Sequence, residues 1–154
     1  MKAEIAKREA FTVVGLKYRG QNETGEDIPR LWRELVDVLE GVENPLDPNA
    51  PCGVVDNYEE ETAVFDYVAG VIVKDPHHVP LGMTKLEIPE QTWAIFECTL
   101  DQLDDTYREI YETWLPQSGY QRAEGPDLEQ YSADFLQGRG ERAEVRICIP
   151  VQEA

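Results

Sequence analysis

Apolar residues follow helical spacing in two stretches of the chain. The first, DIPRLWRELVDVLEGV, carries one stripe at intervals of three and four residues: Ile28, Leu31, Trp32, Leu35, Val36 and Leu39. The second, TLDQLDDTYREIYETWLPQSGY, carries another: Leu103, Tyr107, Ile110, Tyr111, Trp114 and Leu115. Pro29 suits the first turn of the first helix, and Pro116 with Gly119 ends the second. Each stretch is predicted to form one amphipathic helix.

Extended stretches flank the two helices in the same order. FTVVGLKYRG precedes the first helix, and CGVVDNY and TAVFDYVAGVIV follow it. TKLEIPEQTWAIFECTL precedes the second helix, and DLEQY and AEVRICIPV follow it. The order strand, helix, strand, strand therefore occurs twice. The predicted repeats cover about 1–74 and about 84–154, and the Pro- and Gly-containing linker covers about 75–83.

Each copy alone would have too small a core to be stable, so the two sheets are expected to pair and share the apolar faces of the helices. The predicted fold is α+β: a duplicated strand-helix-strand-strand unit with an antiparallel sheet, two main helices and a cleft between the pseudo-symmetric halves. The length of 154 residues, of which 42% are hydrophobic and 29% charged, fits a single packed domain.

The formal net charge of −17 determines which classes of partner this protein is expected to bind. Such a field repels phosphate backbones, and the 14 Lys and Arg residues are scattered rather than gathered in a basic patch. Both predicted helices belong to the repeat, which leaves none for a helix-turn-helix. We therefore expect no direct DNA binding. The same field attracts cations.

The expected cellular location and the expectation for metal binding both depend on motifs that the sequence does not contain. MKAEIAKREA has no apolar core of the signal-peptide type, and no run reaches the roughly 18 apolar residues that span a bilayer, so a cytoplasmic protein without membrane contact is expected. The cysteines, at positions 52, 98 and 148, form no Cys-x-x-Cys pair. His77 and His78 lie in the predicted linker. Neither a metal nor a cofactor is predicted.

A carboxylate and a phenol share one face of the predicted strand DLEQY. Glu129 and Tyr131 are two residues apart, and alternate residues of a strand point to the same side. The first copy has the same order in DNY, so Asp56 and Tyr58 are expected to correspond to them and to face the same cleft. Alternatively, each tyrosine fills a gap between helix and sheet while its hydroxyl reaches solvent.

The segment WAIFECTLDQLDDTYREIYETWLPQSGYQRAEGPDLEQY resembles the GyrI-like family, which includes the effector-binding domains of AraC-type and MerR-type bacterial regulators and stand-alone integron cassette proteins. The residues that carry the resemblance are Trp93, Ile110, Tyr111, Trp114, Leu115, Pro116, Ser118, Gly119, Tyr120, Glu129 and Tyr131. IPRLW in the first helix also looks like the stand-alone members. The resemblance implies a duplicated strand-helix-strand-strand fold. The family often has Tyr in place of Trp93, so a hydroxyl donor is lost there.

In this family the groove between the copies commonly binds amphipathic, often cationic, small molecules. The resemblance therefore implies a ligand site in which Glu129 is the carboxylate and Tyr131 orients it or stacks on the ligand. Trp93 is expected in the aromatic wall, and Glu97, on the same strand face, is a second acidic candidate. Five further aromatic residues belong either to the core or to the wall: Trp32, Tyr58, Tyr67, Tyr111 and Trp114.

Three functions agree with these residues. The first is a stand-alone protein that binds cationic drug-like molecules as a sensor or sequestering protein. The second is a hydrolase of strained-ring genotoxic compounds, in which Glu129 activates water and Tyr131 is the proton partner. The third is a gyrase-inhibitor-like protein whose acidic surface meets a protein partner. Exposed sheet edges could also pair two copies into a homodimer, or a regulatory protein could be the partner.

Overall fold

Antiparallel strands make up most of this computed structural model, which describes residues 1–47, 50–136 and 142–154. The strands found there are β1 (Glu4–Arg8), β2 (Phe11–Gly20), β3 (Pro51–Asp56), β4 (Phe65–Val73), β5 (Thr84–Ile88), β6 (Gln91–Thr99), β7 (Tyr120–Arg122), β8 (Asp127–Tyr131) and β9 (Glu144–Glu153). Eight of them form one sheet in the order β1-β6-β9-β8-β3-β4-β2-β5, and β7 pairs with β9. The predicted α+β fold is confirmed.

The two predicted helices are present, but the second is not a regular α-helix throughout. The helical segments are α1 (Asp27–Val38), α2 (Leu103–Glu109) and α3 (Leu115–Gln117), with 3-10 turns at Leu39–Gly41, Leu100–Gln102 and Ala133–Phe135. A π-helical turn, Ile110–Trp114, joins α2 to α3. Its signature is the N–H of Leu115, which donates to the carbonyl of Ile110 five residues earlier. No helix in the described part of the chain is long and apolar enough to cross a membrane.

The two copies meet where β3 pairs with β8. On one side of this pair the order is β3-β4-β2, and on the other it is β8-β9-β6, so corresponding strands lie at matching distances from the centre. In the central pair Gly53 lies opposite Glu129, and Val55 lies opposite Asp127. The two sheets expected to pair therefore form one continuous sheet.

The outer edges of this sheet are exchanged between the copies. β1, from the first copy, pairs with β6 of the second, and β5, which starts the second copy, pairs with β2 of the first. The stretch TKLEIPEQTWAIFECTL is thus two strands near opposite ends of the sheet, joined only by Pro89 and Glu90. Because so short a connection links distant strands, the sheet must curl until its ends approach each other.

Both faces of the curled sheet are buried. On one face α1, α2 and the π turn cover a cluster that includes Leu35, Phe96 and Ile147. On the other face strands from both ends of the sheet pack together without a helix, and Val13 and Trp93 belong to this second cluster. Burial on two faces explains why strands such as β9 are apolar at consecutive positions rather than at alternate ones.

Candidate functional site

A cavity of about 1340 Å³ lies on the helix-covered face of the sheet, at the junction of the two copies. Its walls come from α1, α2, the π turn and strands β3, β4 and β8, so both copies contribute. Drug-sized ligands occupy cavities of roughly 300–1,000 Å³, and this one is large enough for them. The predicted cleft between the halves is this cavity.

Glu129 lies at the base of the cavity and is only 4% exposed. Its Oε1 accepts hydrogen bonds from the hydroxyls of Tyr67 at 3.1 Å and Tyr131 at 2.5 Å. Its Oε2 accepts one from the hydroxyl of Tyr107 at 2.7 Å. The indole Nε1 of Trp32 in turn donates to the Tyr67 hydroxyl at 3.1 Å. One carboxylate is therefore held by three phenols and, through one of them, by an indole.

The sheet geometry brings these groups together. Glu129 and Tyr131 lie on the same face of β8, Tyr67 points from β4 toward them, and Tyr107 descends from α2. Gly53, directly opposite Glu129 on β3, leaves the space that the Tyr67 hydroxyl occupies. A Cβ at position 53 would lie 2.3 Å from that hydroxyl oxygen, well inside contact distance.

Burial raises the pKa of the Glu129 carboxyl above its ordinary value, and the hydrogen bonds from the three tyrosines offset only part of this effect. Burial and the charge of Glu129 also raise the pKa values of Tyr67, Tyr107 and Tyr131, so these phenols stay protonated donors. Among the described residues no Lys or Arg pairs with Glu129. A desolvated carboxylate that lacks a positive partner is costly until a cation approaches.

A second carboxylate, Asp127, lines the cavity two residues before Glu129, but it has a basic partner. Nη2 of Arg122 lies 2.9 Å from Oδ1 of Asp127, and the hydroxyl of Tyr111 donates to Oδ2 at 2.6 Å. Nε of Arg122 donates to the same Tyr111 hydroxyl at 3.2 Å. Burial lowers the pKa of Arg122, but Asp127 and Tyr111 outweigh it and leave this pKa raised. Asp127 is thus neutralised within the protein.

Aromatic rings hold fixed mutual angles around the carboxylate. Trp32 makes edge-to-face contacts with Tyr67, Tyr131 and Phe135 at centroid distances of 6.3, 5.5 and 5.0 Å. Tyr131 stacks on Phe135 at 4.2 Å. Tyr58, which is 61% exposed, lies at the mouth of the cavity. The residues at the base are therefore buried, while the mouth faces solvent.

Six of the nine predicted site residues line this cavity: Glu129, Tyr131, Tyr111, Tyr58, Trp32 and Tyr67. Trp93, Glu97 and Trp114 do not, and the prediction that they contact a ligand there is corrected. Alternation along β6 turns Trp93 and Glu97 to the face opposite the cavity, where Trp93 is buried and Glu97 pairs with Arg146.

Trp114 packs outside the cavity. Its ring lies 4.9 Å from Phe96 in an edge-to-face contact and stacks on Tyr120 at 6.3 Å between centroids. Of the two interpretations that the sequence allowed, core or wall, the structure supports the core.

The prediction that Asp56 and Tyr58 face the same cleft as Glu129 and Tyr131 agrees with the lining of the cavity, which includes all four residues. Their positions in the sheet differ, because the β3 residues opposite Glu129 and Asp127 are Gly53 and Val55. Asp56 is the last residue of β3, and Tyr58 lies beyond the strand. Both still line the cavity, but at its mouth, because the chain turns there. The two tyrosines differ in environment, since Tyr58 is exposed and Tyr131 is buried.

Among the polar residues of the cavity that were not predicted as site residues, three form the hydrogen bonds and the ion pair around the buried carboxylates: Tyr107, Asp127 and Arg122. Tyr107 precedes Tyr111 by four residues, which places both on one helix face, and Asp127 precedes Glu129 by two, which places both on one strand face. Those spacings were available in the sequence. Arg122 gave no such signal, since its role depends on the pairing of β7 with β9.

The sequence is similar to known proteins along almost its whole length. Residues 1–152 match the GyrI-like small molecule binding domain. The transcriptional regulator BrlR of Pseudomonas aeruginosa is 30% identical over 153 residues, which are 98% of this chain and 56% of that regulator. The chain thus spans little more than half the length of this relative.

Two solved structures show the same fold at lower identity. SAV2435 bound to tetraphenylphosphonium superposes with a TM-score of 0.74 at 15% identity, over 99% of this chain and 94% of that one. An integron cassette protein from the mobile metagenome of Vibrio cholerae gives a TM-score of 0.65 at 19% identity, over 97% and 95%. The fold, the cavity and the match over residues 1–152 lead to one conclusion: the chain belongs to the GyrI-like family of small-molecule-binding domains.

Proposed function

We propose that this domain binds amphipathic organic cations in the cavity, with Glu129 as their counter-ion. The observation that carries the proposal is the environment of Glu129: a nearly fully buried carboxylate with three phenol donors and, among the described residues, no basic partner. Phenols donate hydrogen bonds but bring no positive charge. A bound cation supplies that charge.

Two physical terms favour a flat or bulky cation over a neutral ligand of the same shape. The cation relieves the cost of the buried charge on Glu129. The faces of Trp32 and the tyrosines also attract positive charge, at about 0.5–2 kcal/mol for each well-placed contact. The apolar part of the ligand meets Ile28, Val55 and Phe65, which line the same cavity. Recognition therefore depends on charge together with an apolar body.

Binding of this kind suits a cytoplasmic sensor or a sequestering protein. The similarity to BrlR, which is a transcriptional regulator, supports the sensor. The fold shared with SAV2435, whose structure contains tetraphenylphosphonium, supports the cationic class of ligand. For the sensor, occupancy of the cavity would be reported to another part of a regulatory system. For the sequestering protein, binding itself lowers the free concentration of the cation.

The proposal is tested by titrating the protein with phenyltrimethylammonium and with tert-butylbenzene, its neutral isostere, by calorimetry at neutral pH. The cation should bind at least about tenfold more tightly, which is roughly 1.4 kcal/mol. Glu129→Gln should reduce this preference to the part that the aromatic faces provide. Glu97→Gln, which removes an exposed carboxylate outside the cavity, should keep it. If Glu129→Gln binds the cation as well as the natural protein does, the proposed function is wrong.

The same variants separate a receptor from a hydrolase. Incubation with a strained-ring compound such as styrene oxide, followed by mass analysis, should return the compound unchanged beyond its spontaneous hydrolysis. Turnover that disappears in Glu129→Gln would instead identify Glu129 as a general base.

A further inference from the structure

We infer that Arg122 determines the charge of the ligand, because it neutralises Asp127 and so makes the cavity select monocations over dications. The inference rests on the proposed function, since it concerns the ligands of the same cavity. The carboxylate on which it depends is Asp127, which already has a positive partner in Arg122.

The spacing and burial of Asp127 and Glu129 suit a dication. The exception is that the charge of Asp127 is already paired with Arg122. Asp127 and Glu129 lie on the same face of β8, two residues apart, so their positions along the strand differ by about 6–7 Å. Both are buried, at 8% and 4% exposure, and both line the cavity. A rigid ligand with two positive groups at this spacing would reach both side chains. The geometry alone would therefore accept dications.

Arg122 is held firmly on Asp127. Its Nε donates to Tyr111, its Nη1 donates to the carbonyl of Ala123 at 3.1 Å, and its Nη2 donates to the carbonyl of Gly125 at 2.7 Å as well as to Asp127. A guanidinium has five N–H donors, and these contacts use four of them. A side chain fixed at so many points does not swing aside when a ligand enters.

The ion pair therefore changes the electrostatics at one end of the cavity. A second positive group near Asp127 would meet the like charge of Arg122, which stays ionised at every physiological pH. Displacing the guanidinium would break a partly buried pair and leave a charge unpaired. A dication gains nothing at this end, whereas a monocation places its single charge at Glu129 and its apolar part elsewhere.

The test compares phenyltrimethylammonium with 1,4-bis(trimethylammonio)benzene in calorimetric titrations of the natural protein and of charge variants. The natural protein should bind the dication no more tightly than the monocation. Arg122→Gln should shift the ratio of affinities toward the dication by at least about tenfold. Arg122→Lys, which retains a positive charge at this position, should keep the natural preference.

A double variant distinguishes a change in charge selectivity from a loss of structure. Arg122→Gln combined with Asp127→Asn removes both members of the pair and should restore the natural ratio, although it loses the same contacts to Ala123 and Gly125. Asp127→Asn alone leaves Arg122 uncompensated and should weaken the dication more than the monocation. A structural role would move the single and the double variant alike.

The outcomes also separate this inference from the proposed function. If the natural protein binds neither cation, the proposed function fails and the inference fails with it. If the natural protein binds the monocation but prefers the dication, or if the ratio is unchanged in both Arg122→Gln and Asp127→Asn, the inference is overturned while the proposed function stands.

Discussion

Gly53 lies directly opposite Glu129 where the two copies join. Its φ lies outside the left-handed region, so an alanine would fit the backbone. The obstacle is contact: the added Cβ would lie 2.3 Å from the Tyr67 hydroxyl and 3.2 Å from Oε1 of Glu129. At this position the absence of a side chain permits one of the three hydrogen bonds to the carboxylate.

Gly53→Ala should therefore displace the Tyr67 hydroxyl and weaken cation binding at neutral pH. The hydrogen bond from Tyr67 lowers the pKa of Glu129, so its loss raises this pKa further and leaves less of the carboxyl ionised for the cation. Calorimetry with phenyltrimethylammonium measures the loss of affinity, and Tyr67→Phe, which removes the same hydroxyl without crowding, should lose a similar amount. Natural affinity in Gly53→Ala would show that the Tyr67 contact does not support the ligand site.

The raised pKa of Glu129 makes cation binding depend on pH. A proton and a cation compete for the same carboxylate, so affinity should fall as the pH drops through this raised pKa and stay constant above it. Titrations with phenyltrimethylammonium across a pH series measure this slope. Binding of tert-butylbenzene should stay nearly flat over the same range. A flat profile for the cation would contradict a role for Glu129 as the counter-ion.

Stability should respond in the opposite sense. Because the folded-state pKa of Glu129 is raised, the folded protein holds this proton more tightly than the unfolded chain does. The resulting stability is present below the ordinary glutamate pKa and is lost as the pH rises through the raised one. Glu129→Gln should thus increase the free energy of unfolding at neutral pH by roughly 1.4 kcal/mol per unit of pKa elevation. Denaturant unfolding at neutral and acidic pH checks this, and the gain should vanish at acidic pH.

Single residues of the site were predictable where local geometry decided the outcome. Glu129 and Tyr131 share a face because alternation along a strand needs no tertiary information. Trp93 was placed on the wrong face because β6 is buried on both, with Phe96 toward the helices and Trp93 toward the second cluster. Hydrophobicity cannot distinguish two buried faces.

At the scale of elements, the second helix serves two purposes. Tyr107 and Tyr111 point to the carboxylates of β8, whereas Ile110 and Trp114 pack against the core outside the cavity. The π turn spans Ile110–Trp114, so it contains Tyr111 as well as Ile110 and Trp114. Residues that face the cavity and residues that pack in the core therefore alternate along this helix and lie on different faces of it.

Trp114→Ala should destabilise the protein without changing the site. Removing a large aromatic ring from its contacts with Phe96 and Tyr120 should lower the free energy of unfolding by about 2–4 kcal/mol. Denaturant unfolding measures this loss. Calorimetry on the folded variant should give a cation affinity within about twofold of the natural value. A large loss of affinity at unchanged stability would contradict this prediction and indicate that Trp114 contacts the ligand.

Two strands, β2 and β8, have the bounds that the sequence predicts. β1 and β7 consist mostly of polar and charged residues, and they are strands because β6 and β9 offer them partners. The π turn left no periodic signal distinct from an α-helix.

At the scale of the whole molecule, charge around the cavity adds to the local carboxylate. Its lining includes five acidic residues, Asp56, Glu60, Asp104, Asp127 and Glu129, and two basic ones, Arg33 and Arg122, and the chain as a whole carries −17. Cation association should therefore slow as salt increases, because exposed charges are screened beyond about 10 Å at 0.1 M.

Stopped-flow fluorescence with phenyltrimethylammonium over a range of salt concentrations tests this. The association rate should fall several-fold, while the dissociation rate, which reflects the buried contacts with Glu129, should change little. A salt-independent association rate would mean that the acidic surface has no part in ligand capture.

The duplication was predictable, but the way in which the copies join was not. The order of elements showed a repeat, whereas the pairing of β3 with β8 and the exchange of β1 and β5 depend on the curl of the sheet. Curl arises from contacts between residues far apart in the chain, and the hydrophobic pattern of each strand does not encode it.

This exchange has a consequence for a severed chain. Leu81 protrudes completely from the loop between β4 and β5, where a protease could cut. The two fragments would remain interlocked through three strand pairings, β1 with β6, β5 with β2 and β3 with β8. Expressed separately, the two fragments should reassemble into the complete domain. The cavity takes residues from both fragments: Trp32 and Tyr67 from one, and Tyr107, Glu129 and Tyr131 from the other. A cation bound as proposed would therefore stabilise the complex of the two fragments.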